Sequence, residues 1–186
     1  MVGTSVMRSL SAGCLGAALA LAGCGGETPR TGAVDARVLR ALANVHVDPA
    51  AAAAMLTAYR ASRGLGPVRL DPALTAMAQR QADAMVAANR LSHEVAGDFT
   101  ARLLGAGIDT PRAAENIGGG YYSTAEAFAG WRDSPAHNAN LLIPEATRFG
   151  IALAKDAHTE LRAYWAMELA AEPEKQISQS GAPANP

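Results

Sequence analysis

From residue 48 onward, apolar residues recur at spacings of three and four, the pattern of helices with one buried face. Asp48–Pro49 and Asp71–Pro72 each place a capping carboxylate before a proline at the first helical position, which predicts two helix starts. Gly64 is a natural stop for the first helix, and the second ends near Asn89. We expect the inner face of the second helix to comprise Leu74, Met77, Ala78, Gln81, Ala82, Met85 and Val86.

Two shorter helices and a pair of strands are predicted further along the chain. One helix covers Asp98–Leu104, and another covers Thr124–Trp131 and buries Ala125, Phe128 and Trp131. Alternating residues then predict strands around Phe149–Leu153 and over Arg162–Leu169, joined by the turn Lys155–His158. Helices followed by such a hairpin indicate an α+β fold, with helices packed on a small antiparallel sheet.

The chain divides into four segments. We expect residues 1–23 to be a lipoprotein signal peptide, 24–47 a lipidated cysteine with a tether, 48–171 the globular domain, and 172–186 a disordered polar tail. The start of the tether, Gly25–Gly32, is small, polar and typical of a flexible linker. Residues 33–47 have helical spacing without a clear cap, so their structure stays open.

The amino terminus predicts export and lipid anchoring. Arg8 is the only charged residue of the first 26, and the apolar stretch Leu10–Ala22 is too short to span a bilayer. The stretch ends in Leu21–Cys24, which is similar to a bacterial lipobox, so Cys24 is predicted to be acylated and to become the new amino terminus. The alternative is an ordinary cleaved signal with an incidental cysteine. The lipid would attach the protein to a membrane on the extracytoplasmic side of a bacterial envelope, the outer membrane if the source is Gram-negative.

Charge and cysteine content exclude several classes of protein. Sixteen Lys and Arg residues against 17 Asp and Glu residues give a net charge of -1, which argues against a nucleic-acid partner. Two cysteines cannot support a disulfide-dense scaffold. If cleavage removes Cys14 and lipid caps Cys24, no thiol remains to act as a nucleophile. The oligomeric state does not follow from the sequence.

Three separated polar residues stand out as candidates for chemistry. His93 follows the second predicted helix, Glu115 lies 22 residues later, and His137 another 22 residues later. No two of them form a local motif, so only the fold can bring them together. The other histidines, His46 and His158, are predicted to be solvated.

The residues around these three resemble the CAP superfamily, which includes cysteine-rich secretory proteins, pathogenesis-related proteins and bacterial SCP-domain proteins. The resemblance is carried by Ser92–His93, by Ala114–Ile117, and by the Trp-x-x-Ser-Pro-x-His-x-x-Asn pattern over Trp131–Asn140. It spans about Met55–Leu169 and implies an α–β–α sandwich with a central antiparallel sheet. It also implies a cleft lined by His93, Glu115, His137 and further acidic residues.

The chain departs from the family pattern at its fourth acidic position. Ser134 stands where many relatives have glutamate, and Asp133 is the nearest acid. We include both as candidate cleft residues, together with Asn116, which we expect to fix loop backbone. Tyr121 follows three glycines and is predicted to lie on a mobile rim of the cleft.

Several chemistries stay open for this cleft. The resemblance implies sterols, fatty acids or other small envelope molecules as ligands, since family members bind them. His93, His137 and Glu115 are also a donor set for Zn²⁺ or another divalent cation with one open position, which would support a metal-dependent hydrolase or peptidase. A third alternative is a noncatalytic interaction domain in which the polar residues form a structural network. No Ser-His-acid triad is evident, which weighs against an enzyme.

Overall fold

The computed structural model describes residues 34–173. Cys24, the lipobox and most of the predicted tail lie outside these residues. The described residues belong to one compact unit that begins at Val34. They form six helices and four strands, in the order α1 (Ala36–Asn44), α2 (Pro49–Ala61), β1 (Arg69–Leu70), α3 (Pro72–Ala88), α4 (Phe99–Gly105), β2 (Ala113–Gly119), α5 (Thr124–Asp133), α6 (Pro135–Leu141), β3 (Ala146–Lys155) and β4 (Ala163–Ala171).

The helix starts follow from local capping. The side chains of Asp48, Asp71 and Asp98 accept hydrogen bonds from backbone N–H groups in the first turns of α2, α3 and α4. Helix α3 ends at Asn89, which adopts a left-handed conformation with a φ of 44°. The ambiguous residues 33–47 contain α1, whose cap is Asp35, a residue that the sequence pattern did not single out.

The predicted antiparallel hairpin is confirmed, and it forms the centre of the sheet. Strands β3 and β4 pair antiparallel, β2 pairs antiparallel with β4, and the strand order is β1-β3-β4-β2. The two-residue β1 pairs parallel with β3, so the sheet is mixed rather than wholly antiparallel. This short edge strand arises because the chain passes along β3 just before α3 begins.

Helices cover both faces of the sheet, which confirms the α+β class and the α–β–α sandwich. Alternate residues of β4 face opposite layers, and all nine are buried. Trp165 and Met167 pack with Phe128 and Leu56 of α5 and α2, whereas Tyr164 faces the α3 layer. The predicted inner face of α3 is buried except for Val86, which is half-buried.

Three elements, β1, β2 and α6, were not predicted from the pattern, and one predicted core residue was wrong. Strand β2 carries alanines and glycines without alternation, and α6 follows α5 after one residue. Ala125 is exposed, and Ala127 is buried in its place because α5 presents the face of Phe128 and Trp131 to the sheet. His46 and His158 are both exposed, as expected.

No helix among residues 34–173 combines the length and the apolar character needed to cross a membrane.

Candidate functional site

His93 lies in the loop between α3 and α4, and hydrogen bonds of the preceding residue, Ser92, hold this loop in place. Gln81, fully buried in α3, donates a hydrogen bond of 2.8 Å to the carbonyl of Ser92. The hydroxyl of Ser92 in turn accepts a hydrogen bond from the backbone N–H of Glu94. The loop therefore presents His93 with 49% of its side chain exposed.

Glu115 anchors the imidazole of His93 from the edge strand β2. His93 Nδ1 lies 2.7 Å from Glu115 Oε1, and Arg102 of α4 donates to Glu115 Oε2 at 2.8 Å. The side chain of Glu115 is only 3% exposed and that of Arg102 is 8% exposed. Because Nδ1 is engaged by Glu115, Nε2 is the ring nitrogen of His93 that remains available for other contacts.

Glu168 of β4 adds a second carboxyl group behind this pair. It lies directly opposite Glu115 in the strand register, and its side chain is fully buried. Arg102 Nη1 reaches Glu168 Oε1 at 3.5 Å, while Glu168 Oε2 has no hydrogen-bond partner in the part of the chain described. Burial raises the pKa of Glu168 well above its ordinary value, and the charge and hydrogen bonding of Glu115 raise it further, whereas Arg102 opposes the shift. Glu168 therefore keeps its proton to a higher pH than an ordinary glutamate does.

This protonation state has a consequence for stability. The unfolded chain releases the Glu168 proton near pH 4.5, whereas the folded chain keeps it, so the free energy of unfolding falls as the pH rises from that value to the raised folded pKa. The Glu168→Gln variant removes this slope, which is at most about 1.4 kcal/mol per pH unit for one group. Urea unfolding at a series of pH values from mildly acidic to mildly basic measures the slope. Glu145→Gln, at an exposed position, is the control, and equal slopes in the two variants would contradict the raised pKa of Glu168.

His137 reaches the same cleft from α6. The side-chain amide of Asn116 donates to the carbonyl of His137 at 3.0 Å. Asn140 donates to the carbonyl of Glu115 at 3.2 Å and to Asn116 Oδ1 at 2.9 Å. These bonds tie α6 to the edge of β2, as expected for backbone-fixing asparagines. Burial lowers the pKa of His137, and the charge of His93 lowers it further, so His137 favours the neutral form.

The cleft is an open cavity of about 490 Å³ at the edge of the sheet. Its polar lining comes from the two imidazoles and from carboxyl and amide groups, and its apolar lining from one aromatic ring and small side chains. The lining residues are His93, Glu94, Phe99, Ala113, Ala114, Glu115, Ala136, His137 and Asn140. The structure thus brings His93, Glu115 and His137 to one cavity.

Four other residues proposed from the sequence do not line this cavity, and one of them, Asn116, is fully buried. Tyr121 packs into the core on the other face of β2, with its ring against Gly118 and Gly130. It belongs to the core rather than to a mobile rim, because those glycines leave room for its ring. Asp133 is the exposed last residue of α5, and Ser134 occupies the cap position of α6 without a side-chain hydrogen bond.

The geometry of the cleft does not fit a metal site made of His93, His137 and Glu115, the ligand set that the sequence analysis considered. Both oxygens of Glu115 are engaged, one by His93 Nδ1 and the other by Arg102. Across residues 34–173, no three His, Cys, Asp or Glu side chains are grouped so that they could hold a metal ion. Two imidazoles alone supply fewer protein ligands than the three or four of a typical zinc site.

Arg102 and Glu168 are site residues that the sequence pattern alone did not reveal. A signal for Glu168 was present, since it is a lone acid inside an otherwise apolar buried strand, where an unpaired charge is costly. Arg102 follows His93 in the pattern that resembles the family, but that resemblance assigned it no place in the cleft.

The chain matches known proteins over most of this domain. Residues 53–169 match the family model described as CAP, the cysteine-rich secretory protein family. Over 99 residues the chain is 28% identical to the uncharacterized protein YkwD of Bacillus subtilis (strain 168), covering 52% of this chain and 38% of that protein.

Solved structures show the same fold. An extracellular protein with an SCP domain from Bacillus anthracis str. Ames superposes with a TM-score of 0.59 at 20% identity, over 70% of this chain and 41% of that one. An outer surface protein from Borrelia burgdorferi gives a TM-score of 0.59 at 16% identity, over 69% of this chain and 98% of that one. The chain therefore spans less than half the length of the two Bacillus proteins. From the family match, the sandwich and the shared arrangement of strands and helices, this chain belongs to the CAP, or cysteine-rich secretory protein, family.

Proposed function

We propose that this chain binds a small amphiphilic molecule in the cleft of His93, Glu115 and His137, on the extracytoplasmic side of a cell envelope. One observation carries the proposal. His93 is half exposed at the mouth of a cavity of about 490 Å³, while its Nδ1 is held by a buried carboxylate that a buried arginine neutralises. An imidazole fixed in this way is oriented toward a ligand rather than toward its own protein.

The lining of the cleft indicates the type of ligand. The second ring nitrogen of His93 and the neutral imidazole of His137 supply hydrogen bonds to a hydroxyl or carboxyl group, and the side-chain oxygen of Asn140 accepts from a hydroxyl. Phe99 and the alanines supply an apolar wall. A molecule with one polar head and an apolar body suits this combination, which agrees with the sterols and fatty acids that the family resemblance implies.

Binding is favoured over turnover. His93 and Glu115 form the base and orienting group that nucleophilic catalysis would use. However, no Ser, Thr or Cys side chain among residues 34–173 hydrogen-bonds to either imidazole of the cleft. The incomplete metal set likewise gives no support to a metal-dependent hydrolase.

Substituting His93 tests the binding function. The His93→Ala variant is expected to weaken binding of a fluorescent fatty acid or a fluorescent sterol about tenfold, as loss of one hydrogen bond of about 1.4 kcal/mol requires. Fluorescence titration of the compact unit from Val34 onward measures this effect. His158→Ala, at an exposed position in the β3–β4 turn, is the matched control. Equal affinities of the two variants for the probe, or no binding of the probe by the wild-type protein, would contradict a binding function of the cleft.

Lipid anchoring is a separate part of the proposal. It is supported by the Leu21–Cys24 lipobox directly after the apolar stretch. Labelling cells with a radioactive fatty acid is expected to mark the wild-type protein and to leave the Cys24→Ala variant unlabelled. Label on that variant would contradict anchoring at this cysteine and would leave the binding function untouched.

A further inference from the structure

Strand β2 forms one edge of the sheet, and its outer side meets the cleft. The strand order β1-β3-β4-β2 gives β2 a single neighbour, β4. Residues from both faces of β2 line the cavity, since Ala113 packs with the α3 layer and Ala114 packs with the layer of α2 and α5. The cavity therefore opens across the edge of the strand rather than onto one face of the sheet.

The register of β2 on β4 fixes which backbone groups of β2 point outward. Backbone hydrogen bonds continue the ladder at both ends, from the N–H of Gly120 to the carbonyl of Ala163 and from the N–H of Ala171 to the carbonyl of Arg112. Paired residues of antiparallel strands alternate between bonded and non-bonded, so the even-numbered residues of β2 bond to β4 and the odd-numbered residues point away from it. The outward residues are Ala113, Glu115, Ile117 and Gly119.

Two of the outward carbonyl groups are bonded within the domain itself. The side-chain amide of Asn140 donates to the carbonyl of Glu115 at 3.2 Å, and the indole of Trp131 donates to the carbonyl of Ile117 at 3.0 Å. Both contacts agree with the alternation, because these carbonyls must point away from β4 to be reached from α5 and α6. Toward Ile117, the edge of β2 is therefore closed by side chains of the domain.

Three outward backbone groups near the start of β2 have no hydrogen-bond partner among residues 34–173. They are the N–H and the carbonyl of Ala113 and the N–H of Glu115. Both residues line the cavity, and Glu115 is only 7% exposed. Because a buried backbone N–H without an acceptor is costly, this edge favours a ligand that supplies acceptors and a donor at the spacing of a strand.

We propose that the cleft binds an extended peptide, which pairs with the Ala113–Glu115 edge as an additional strand of the sheet. Carbonyl groups of the peptide accept from the N–H groups of Ala113 and Glu115, and one N–H of the peptide donates to the carbonyl of Ala113. This pairing uses backbone groups of β2 that amphiphile binding through the imidazoles does not use. It therefore goes beyond that function and does not rest on it, although the two ligands would compete for one cavity.

The walls of the cavity indicate the side chains of the peptide. Successive side chains of a strand point to opposite faces of the sheet. On the face of Ala113 the wall includes the ring of Phe99. On the face of Ala114 and Asn116 it includes His137, whose carbonyl accepts from the Asn116 amide. An apolar side chain suits the first wall and a hydroxyl-bearing side chain suits the second, so a peptide of alternating valine and threonine fits the cleft.

Backbone methylation of such a peptide tests the pairing. The probe is fluorescein-labelled Thr-Val-Thr-Val-Thr, titrated with the full chain by fluorescence anisotropy. In one derivative both valine nitrogens are methylated, and in the other the last two threonine nitrogens are methylated. Because alternate residues of an added strand face β2, one derivative is expected to bind at least about tenfold more weakly than the probe and the other within about twofold of it.

A variant of the edge tests the same contact from the protein side. Ala113→Pro removes an outward N–H and leaves the ladder with β4 intact, as proline does on an edge strand. It is expected to weaken binding of the unmethylated probe at least about tenfold. Ala36→Pro is the control, because Ala36 is the exposed first residue of α1, a position that suits proline. If Ala113→Pro fails to fold, the contrast between the two methylated peptides still decides the proposal.

The opposing outcomes are specific to strand pairing. Equal losses from the two methylated derivatives, no loss from either, or no binding of the probe by the wild-type protein would overturn the proposal. A wild-type dimer in sedimentation that Ala113→Pro abolishes would also overturn it, because the edge would then pair with a second copy of the chain. The His93→Ala titration with a fatty acid or sterol decides amphiphile binding independently of all these results.

Discussion

Replacing Gly150 by alanine is expected to destabilise the domain by at least about 3 kcal/mol, near the upper range for overpacking a core. Gly150 lies in β3 directly beneath the first turn of α3. A Cβ at this position would come within 2.1 Å of the backbone nitrogen of Thr75 and 2.2 Å of the carbonyl carbon of Leu74. Both are backbone atoms, so no rotamer change relieves the clash. Helix α3 must move away from the sheet and give up its contacts.

Thermal unfolding measures this effect. For a domain of this size, about 3 kcal/mol corresponds to a loss of roughly 10 °C in Tm. Gly66→Ala is the matched control, because its backbone is not in the left-handed region and a Cβ would meet nothing within 4 Å. A Tm of Gly150→Ala within about 2 °C of that control would show that α3 tolerates the added methyl group.

The second large effect is expected at Arg60, a fully buried cation of α2. Its guanidinium donates to backbone carbonyls alone, four of them within 3 Å and a fifth at 3.4 Å: Gly66, Leu141, Ile143, Ala146 and Pro144. No acid pairs with it among residues 34–173. Burial lowers the pKa of Arg60, yet the ordered carbonyl oxygens supply the negative potential that keeps the charge in place.

The Arg60→Met variant is expected to lose about 3–5 kcal/mol of folding free energy, because it leaves several buried carbonyls without a donor. Four of the five carbonyls lie between the last residue of α6, Leu141, and the first residue of β3, Ala146, so the loss also loosens the helix that carries His137. Urea unfolding measures the free energy.

Arg63→Met serves as the control for Arg60. Arg63 follows three residues later, is exposed, and lies 5.5 Å from the ring of Tyr59, a contact worth about 0.5–1 kcal/mol at a surface. Losses of similar size in the two variants would contradict the structural role of Arg60.

The helices of this domain were predictable because their signals are local. Asp48, Asp71 and Asp98 each bond to backbone N–H groups two or three residues away, so a short stretch of sequence contains both partners. The hairpin was predictable for a related reason, since alternation and a turn lie within one continuous segment. Strand β2 gave no such signal, because the space at Gly118 and Gly119 is taken by side chains outside the strand, among them Trp131 and Leu161, which lie 13 and 42 positions further along the chain.

The candidate site was only partly accessible to sequence reasoning. The motif contexts of His93, Glu115 and His137 pointed to a shared cleft through a family resemblance rather than through spacing. The same contexts suggested Asn116, Asp133 and Ser134, and the three preceding glycines suggested Tyr121, but none of these four lines the cavity. A side chain one position along a strand or a helix faces another direction, and the motif carries no record of that direction.

By itself, the sequence determined the capped helices, the β3–β4 hairpin and membership of the family. The tertiary structure alone decided that Glu115 lies opposite Glu168, and that Arg102 reaches both carboxyl groups from α4. These contacts join residues 13 to 66 positions apart, through the pairing of β2 with β4 and the packing of a short helix. Buried charges depend on such distant partners for their energy, which is why the electrostatics of the cleft follow from the folded chain and not from any single segment.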